Sequence, residues 1–389
     1  MAQTKTDYGL IYNTDGSVCT TVRPDQTPFP GVNSFAVETA TTNYWNNDIT
    51  DYAYGIVSGD VTFENTVYNG RPALKCIVTG TDPFIKVAFK HSAGNINPND
   101  TYTASIGVAA LSSEITGLRD TAAYIYFTAT NLSGFAAIDH NWGKTGNRIY
   151  ATYTHPTDDT TTPFYACVFL MEAGTFYLYD YQLEKKPFAS SFVNGTRPAG
   201  RLVIPVEDLK FDIANDDWVI SYWKYPVATS VDTQNGFNLC SLGQGTSDKT
   251  KGYINFGKEN YMNKYRLLVI LNDTTIVKII SNNTFNPTDY FSHWHYEVVK
   301  KSGKVLSYYV DGVKQVEHTI PADKELQTPF DVGLSLGGVT DNNIFYPSNA
   351  LIANVGNGKL QPGEFTDKHI MAIYEANRAF AQKGGVKIY

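Results

Sequence analysis

Phe164-Tyr165-Ala166-Cys167-Val168-Phe169-Leu170, followed past Gly174 by Thr175-Phe176-Tyr177-Leu178-Tyr179, is the stretch whose reading decides the fold. Two short apolar runs, rich in aromatic and β-branched side chains and separated by a glycine, suit strands and show no helical period. Working outward, similar runs recur at Val57 to Phe63, Ala73 to Thr79, Phe84 to Phe89, Tyr102 to Ala109 and Ala123 to Ala129. Short strands at this spacing, with no long helical segment between them, predict a sandwich or jelly roll over 35–186.

The composition agrees. The 389 residues include 27 Tyr, 21 Phe, 31 Gly and 17 Pro, and only 18% are charged. At about 150 residues per domain the length predicts two to three domains. Disorder is excluded, because it needs low hydrophobicity and high charge. The balance of 31 Lys+Arg against 38 Asp+Glu, a net charge of −7, disfavours nucleic acid as a partner. A local basic patch of Lys185, Lys186, Arg197 and Arg201 reads as solvated charge around a linker. No run of 18 apolar residues occurs, so no membrane insertion is expected. The amino terminus lacks an apolar signal core, so synthesis in a cytoplasm without signal-directed export is expected. Cys19, Cys76, Cys167 and Cys240 are scattered, which argues against a disulfide framework or a zinc site.

Residues 1–34 read as an extended arm. Tyr8 to Tyr12 is a short strand, Asn13 to Gly16 a turn, and Pro24, Pro28 and Pro30 keep the chain extended. So little apolar surface predicts that a partner chain holds it. Residues 187–200, rich in Pro, Gly, Ser and charge, read as a linker. A second β pattern fills 201–389. Trp218 to Trp223 is a strand, and Tyr265 to Leu271 pairs with Thr275 to Ile280. Trp294 to Lys300 pairs with Val305 to Val310, and Asp311-Gly312 is a type I′ hairpin signal leading to Lys314 to Ile320. Phe330 to Leu336 and Ala350 to Val355 complete the set. Only at about 366–382 does the period become helical, with Thr366 as N-cap and Gly384-Gly385 as the stop. The expected architecture is all-β: two tandem antiparallel β-sandwiches (jelly rolls) with an N-terminal extended arm and a short C-terminal helix.

Two stretches carry a resemblance. GTFYLYDYQLEKKPFASSFVNGTRPAG (174–200) resembles the closing strand and exit linker of carbohydrate-binding-module-like jelly rolls in bacteriophage structural proteins. Trp294, Tyr308-Tyr309-Val310-Asp311-Gly312, Leu334 to Gly338 and the segment from Asn349 to Tyr374 are similar to a concanavalin A-like, laminin-G-like sandwich. The resemblance implies a non-enzymatic virion protein of tail, fibre or head decoration, made in the host bacterial cytoplasm. Its implied partners are other virion proteins, through residues 1–34 and the linker, further copies of itself, and a host surface polysaccharide. A free-standing carbohydrate-binding or carbohydrate-active protein is the alternative. Where relatives carry a Gly-x-Ile-Asp-like strand, this chain has Ser348 to Asn354, which weakens a carried-over calcium site.

The residues themselves disfavour catalysis. Paired carboxylates must flank a scissile bond, yet Glu207-Asp208 and Asp216-Asp217 are adjacent and would point to opposite faces of a strand. His293-Trp294-His295 lacks a third metal ligand, and Asp139-His140 has no nucleophile fixed beside it. Calcium, as a possible cofactor, would draw on oxygens at Asp158 and Asp159 or at Asp341. Saccharides stack on aromatic rings beside a few polar groups. Tyr44 and Trp45, and His140, Asn141 and Trp142, sit in polar, turn-like surroundings and are the candidate glycan-binding residues. Trp218, Trp223 and Trp294 lie within strands and are read as core.

Overall fold

The computed structural model describes residues 4–5, 10–12, 18–23, 26–44, 61–79, 85–90, 99–111, 115, 122–128, 141–154, 165–193, 195–200, 202–227, 238–259, 263–286, 290–291, 293–341, 344–347, 349–361, 363–384, 386 and 388. Of these, 4–5, 10–12, 18–21, 85–90, 124, 126, 128, 141, 142, 145, 165, 238, 239, 339–341 and 344–347 are described by backbone alone. Among the described residues the chain is all-β with one α-helix, at the C-terminal end, and it forms two compact units. The first sandwich holds Ala40–Pro198; the second holds Gly9–Thr39 together with Ala199–Tyr389.

In the first sandwich, six antiparallel strands run in the order Asn141–Thr145, Arg148–Thr154, Thr101–Ala110, Gly174–Glu184, Arg71–Val78 and Val61–Tyr68. A three-stranded sheet of Ala123–Thr128, Tyr165–Leu170 and Ile85–Lys90 supplies the second layer. The core follows the period of two. Leu74, Cys76 and Val78, then Tyr102, Ala104, Ile106 and Val108, then Ile149, Ala151 and Tyr153 alternate into it. On Gly174–Glu184 the parity changes, from Phe176 and Leu178 to Tyr181 and Leu183. A bulge between Tyr179 and Gln182 causes the change, with Asp180 at φ 54°. A short polar residue tolerates that left-handed geometry.

The expected 187–200 linker is built into this unit. Thr196–Arg197 pairs with Thr41–Thr42, and Ala189, Ser190, Ser191, Val193 and Arg197 are buried. Three buried side chains tie the incoming and outgoing segments. Glu184 accepts from Thr41 Oγ1 and from Ser190 N and Oγ, each at 2.6 Å. Gln182 Oε1 accepts from Val193 N at 2.8 Å. Asn43 donates to Tyr181 O and Val193 O and accepts from Leu183 N. Polar composition marks a linker only when water satisfies it; here the protein does.

In the second sandwich, one sheet runs Thr4–Lys5, Leu10–Tyr12, Val18–Arg23, Ser34–Val37, Ala350–Lys359, Trp218–Pro226, His295–Ser302, Val305–Val310 and Val313–Thr319. The other runs Val203–Ile204, Leu334–Leu336, Asn238–Gly243, Tyr253–Glu259, Lys264–Ile270 and Ile276–Thr284. The sequence expectation of a separate arm over 1–34 meets a different arrangement. Ser34–Val37 pairs with Ala350–Ala353, Val18–Arg23 pairs with Ser34–Val37, and Phe29, Ala36 and Val37 are buried. The segment gains through sheet pairing the burial that its own composition cannot provide.

Trp218, Ile220 and Tyr222 enter the core shared with the second sheet, whereas Val219 and Trp223 enter a cluster under the helix Asp367–Lys383. Both faces of this strand are covered, so Trp218 to Trp223 reads as an apolar run with little alternation. Burial of each such large side chain contributes roughly 1.5–3 kcal/mol. Ile370, Tyr374 and Ala381 form the buried face of the helix. Tyr374 stacks on Trp223 at 6.4 Å, and Thr366 caps the first turn by accepting from His369 N. Asp311-Gly312 adopts φ 53° and 79°, as its hairpin signal requires.

This core contains charge. Lys224 on Trp218–Pro226 and Glu297 on His295–Ser302 come from one sheet, and Lys258 on Tyr253–Glu259 comes from the other; all three are buried. The Lys258 ammonium lies against the Tyr290, Phe285 and Phe291 rings. Tyr222 and Tyr290 donate to Glu297 at 2.5 and 3.4 Å. Burial lowers the Lys224 ammonium to about 8, against the opposing pull of Glu297, and burial also holds Lys258 well below the ordinary lysine value. Below about pH 8 Lys224 is protonated both folded and unfolded, and the cost of burying its charge is fully present. Between that pH and its unfolded value of 10.5, the unfolded chain binds the extra proton, so stability rises with pH. Between pH 7.5 and 9.5 the wild type is expected to gain on the order of 2 kcal/mol more than Lys224→Met in urea unfolding. Parallel curves for the two proteins would refute this.

Candidate active face of the first sandwich

The face of the six-stranded sheet opposite its core carries the candidate site. Strand register fixes which residues share it. Tyr68 pairs with Arg71 and Glu64 with Lys75. Tyr177 lies between Lys75 and Ala109, and Tyr179 between Ala73 and Gly107. Gly107 pairs in turn with Arg148, and Gly143 with Tyr150. Tyrosines therefore alternate with the small residues Ala73, Gly107, Ala109 and Gly143 across neighbouring strands.

Tyr68 stacks on Tyr177 with centroids 4.7 Å apart and planes at 22°, and lies 5.5 Å from Tyr179. The missing side chain at Gly107 makes room for this ladder, because a Cβ there would lie 2.4 Å from the Tyr179 ring. Gly143 likewise gives way to the Tyr150 ring. Tyr68 and Tyr177 are half-buried, leaving ring surface open to solvent.

Charge flanks the ladder. Arg71 forms an ion pair with Asp180, which the bulge delivers to this face. Arg148 donates to Asp180 O at 2.8 Å and to Ser105 Oγ at 2.6 Å. Burial raises the Asp180 carboxyl above the ordinary aspartate value, and the Arg71 and Arg148 guanidiniums offset part of the rise. Lys75 and Glu64 pair at 3.0 Å beside Tyr177. Aromatic faces with hydrogen-bonding groups fixed at their edge suit a ligand that has both an apolar C–H face and hydroxyls.

The residues singled out by sequence fall differently. Tyr44 is half-buried at the margin of the core, its ring edge-on to Tyr102 at 6.5 Å and its N–H donating to Leu183 O at 2.8 Å. Trp45 and His140 lie outside the described residues. Asn141 and Trp142 are on the edge strand, opposite Thr152 and Ala151, and their side chains are outside the description. Asp158 and Asp159 are outside it too, as is the side chain of Asp341, whose backbone pairs with Ile344. Among the described residues no group of three His, Cys, Asp or Glu is placed to hold a metal. Cys76, Cys167 and Cys240 are buried.

Sequence reasoning passed over Tyr68, Arg71, Tyr177, Tyr179 and Asp180 as a set. The signal that finds part of it is Asn69-Gly70, a type I′ turn with φ 49° and 78°, which places Tyr68 opposite Arg71.

No family profile and no curated protein matches the chain. Among solved structures it is similar to the Ruminococcus gnavus IT-sialidase CBM40 bound to α2,3-sialyllactose, at 14% identity and TM-score 0.32, over 41% of this chain and 84% of that one. It is also similar to domain 4 of AbnA, a GH43 extracellular arabinanase from Geobacillus stearothermophilus, in complex with arabinotriose. That likeness has 9% identity and TM-score 0.32, over 64% of this chain and 88% of that one. A third likeness is to the SAP-like pentraxin of Limulus polyphemus, at 9% identity and TM-score 0.27, over 41% and 70%. At such scores the likenesses carry no argument about what this chain binds.

Proposed function

We propose that this chain is a non-enzymatic structural protein of a bacteriophage virion whose first sandwich holds a host-surface saccharide. The single observation behind the binding reading is the Tyr68–Tyr177–Tyr179 ladder, seated on small residues beside the Arg71–Asp180 pair. A pyranose presents a C–H face to such rings and hydroxyls to the guanidinium edge. The virion setting rests on the resemblance carried by residues 174–200 and 294–374, with assembly into the particle beside other virion chains and further copies of this one.

A free-standing carbohydrate-binding protein is the second reading. The pairings of Leu10–Tyr12 with Val18–Arg23, and of Val18–Arg23 with Ser34–Val37, favour it, because these parts of the segment read as an anchoring arm belong to a sheet of the second sandwich.

A glycan array probed with the full chain tests the binding reading. Tyr177→Ala is expected to remove most of the signal while the chain still melts cooperatively. A wild-type array without signal, or a Tyr177→Ala array identical to wild type, would sink it. Immunogold labelling of purified phage particles with an antibody to this chain separates the two settings. Labelled particles support the virion, and bare particles support the free protein.

A further inference from the structure

We infer that the second sandwich contains a binding cleft of its own, for one or two units of an uncharged saccharide. The cleft encloses about 410 Å³, a volume within the range of small-molecule sites. It opens between the C-terminal helix, the Val305–Val310/Val313–Thr319 hairpin and the segment that follows Ile276–Thr284. Gly312 fixes how closely the hairpin meets the helix, since a Cβ there would lie 2.7 Å from Met371 Sδ. This site does not depend on the tyrosine ladder.

Its chemistry defines the ligand. Tyr290 and Tyr374, both buried, line the cleft, Tyr290 by its ring edge because the Lys258 ammonium and the His295 ring cover its faces. At the rim, Asn283 Nδ2 donates to Gln315 Oε1 at 3.4 Å, the long end of a hydrogen bond. Ligand hydroxyls can replace so weak a contact at little cost, freeing the Asn283 amide donor and the Gln315 Oε1 acceptor, while Gln315 Nε2 donates to Val313 O at 3.3 Å.

The carboxylates are already engaged. Asp311 uses both carboxylate oxygens, one 2.7 Å from His295 Nδ1 and the other accepting from Tyr296 N at 2.9 Å. His295 Nε2 lies 3.0 Å from Tyr290 O, and its ring stacks on Tyr290 at 4.4 Å. Glu375 pairs with Arg378 at 3.5 Å. A ligand carboxylate would meet the Asp311 and Glu375 carboxylates, and a purely apolar ligand would strand the amides. Arg378 Nε, which has no hydrogen-bond partner among the described residues, is a donor for a ligand hydroxyl. A neutral, hydroxyl-rich ring with an apolar face meets both conditions.

The test is titration calorimetry on the full chain with maltose, cellobiose and lactose, alongside glucuronic acid and adenosine. Two cleft variants are compared with Tyr177→Ala: Asn283→Ala combined with Gln315→Ala, and Val313→Trp, which places bulk at the exposed mouth. A neutral disaccharide is expected to bind, and to lose at least tenfold in affinity in both cleft variants but not in Tyr177→Ala. Circular dichroism melts confirm that each variant is folded. The inference is overturned if no neutral disaccharide binds, if the cleft variants bind as wild type does, or if glucuronic acid or adenosine binds more tightly. Should Tyr177→Ala abolish all binding while the cleft variants keep it, the cleft falls and the ladder stands. The reverse pattern, which is the expected one for these disaccharides, assigns them to the cleft and leaves the ladder to be judged by the glycan array.

Discussion

Glu297→Ala is expected to lower the unfolding free energy of the second sandwich by about 3–5 kcal/mol. Glu297 is fully buried and accepts from Tyr222 at 2.5 Å and from Tyr290 at 3.4 Å. Its charge also supports the Lys224 and Lys258 ammoniums against desolvation. Truncation removes the acceptor and the countercharge together, leaving hydroxyls unpaired and a buried cation uncompensated. The same reasoning gives a control. Adding Lys224→Met and Lys258→Met to Glu297→Ala is expected to recover most of the loss, because an apolar replacement of a whole buried charge cluster is often neutral or stabilising. Hydrogen exchange followed by mass spectrometry localises the effect, with protection lost in Trp218–Pro226, Tyr253–Glu259 and His295–Ser302. A loss below about 1 kcal/mol would mean that water reaches Glu297 and that the cluster is not dry.

Glu184→Ala is expected to cost about 4 kcal/mol, confined to the first sandwich. Its carboxylate takes three donors at 2.6 Å, from Thr41 on the incoming segment and Ser190 on the outgoing one. Hydrogen bonds to a charged acceptor are each worth about 1.5–3 kcal/mol, and donors orphaned by burial add their own desolvation cost. Glu184→Gln keeps one acceptor oxygen and is expected to lose about half as much. Exchange protection should fall in Gly174–Glu184 and Thr101–Ala110, the strands that Glu184 joins through its register with Thr103. Protection unchanged in these strands would show that the two segments are held by backbone pairing alone.

How much of this was legible follows from where water is excluded. The alternation of Tyr102, Ala104, Ile106 and Val108 shows in the sequence because one face of that strand is apolar core. The Asp311-Gly312 hairpin and the Thr366 cap depend on local chemistry and fall where the sequence places them. Residues 187–200 have a linker's composition, but Arg197 is buried on a strand that pairs with Thr41–Thr42, far earlier in the sequence. Residues 35–39 give the same lesson: the sequence assigns them to the first sandwich, yet Ala36 and Val37 are buried in the second, where Ser34–Val37 pairs with Ala350–Ala353, more than 300 residues later. The tyrosine ladder was only half legible. Tyr177 and Tyr179 share a face by simple alternation, and Asn69-Gly70 adds Tyr68 and Arg71. Asp180 joins them only because a bulge shifts the register there, and nothing local in Tyr179-Asp180-Tyr181 announces that shift.

Saccharide binding by the ladder is the centre of the account, and one titration measures it most directly. Host-envelope polysaccharide is titrated into the full-length wild type and into Tyr177→Ala, with matched melting curves. The account predicts saturable wild-type binding and at least a tenfold weaker affinity for the variant, about 1.4 kcal/mol or more. Equal affinities for the two proteins, at equal stability, would contradict it.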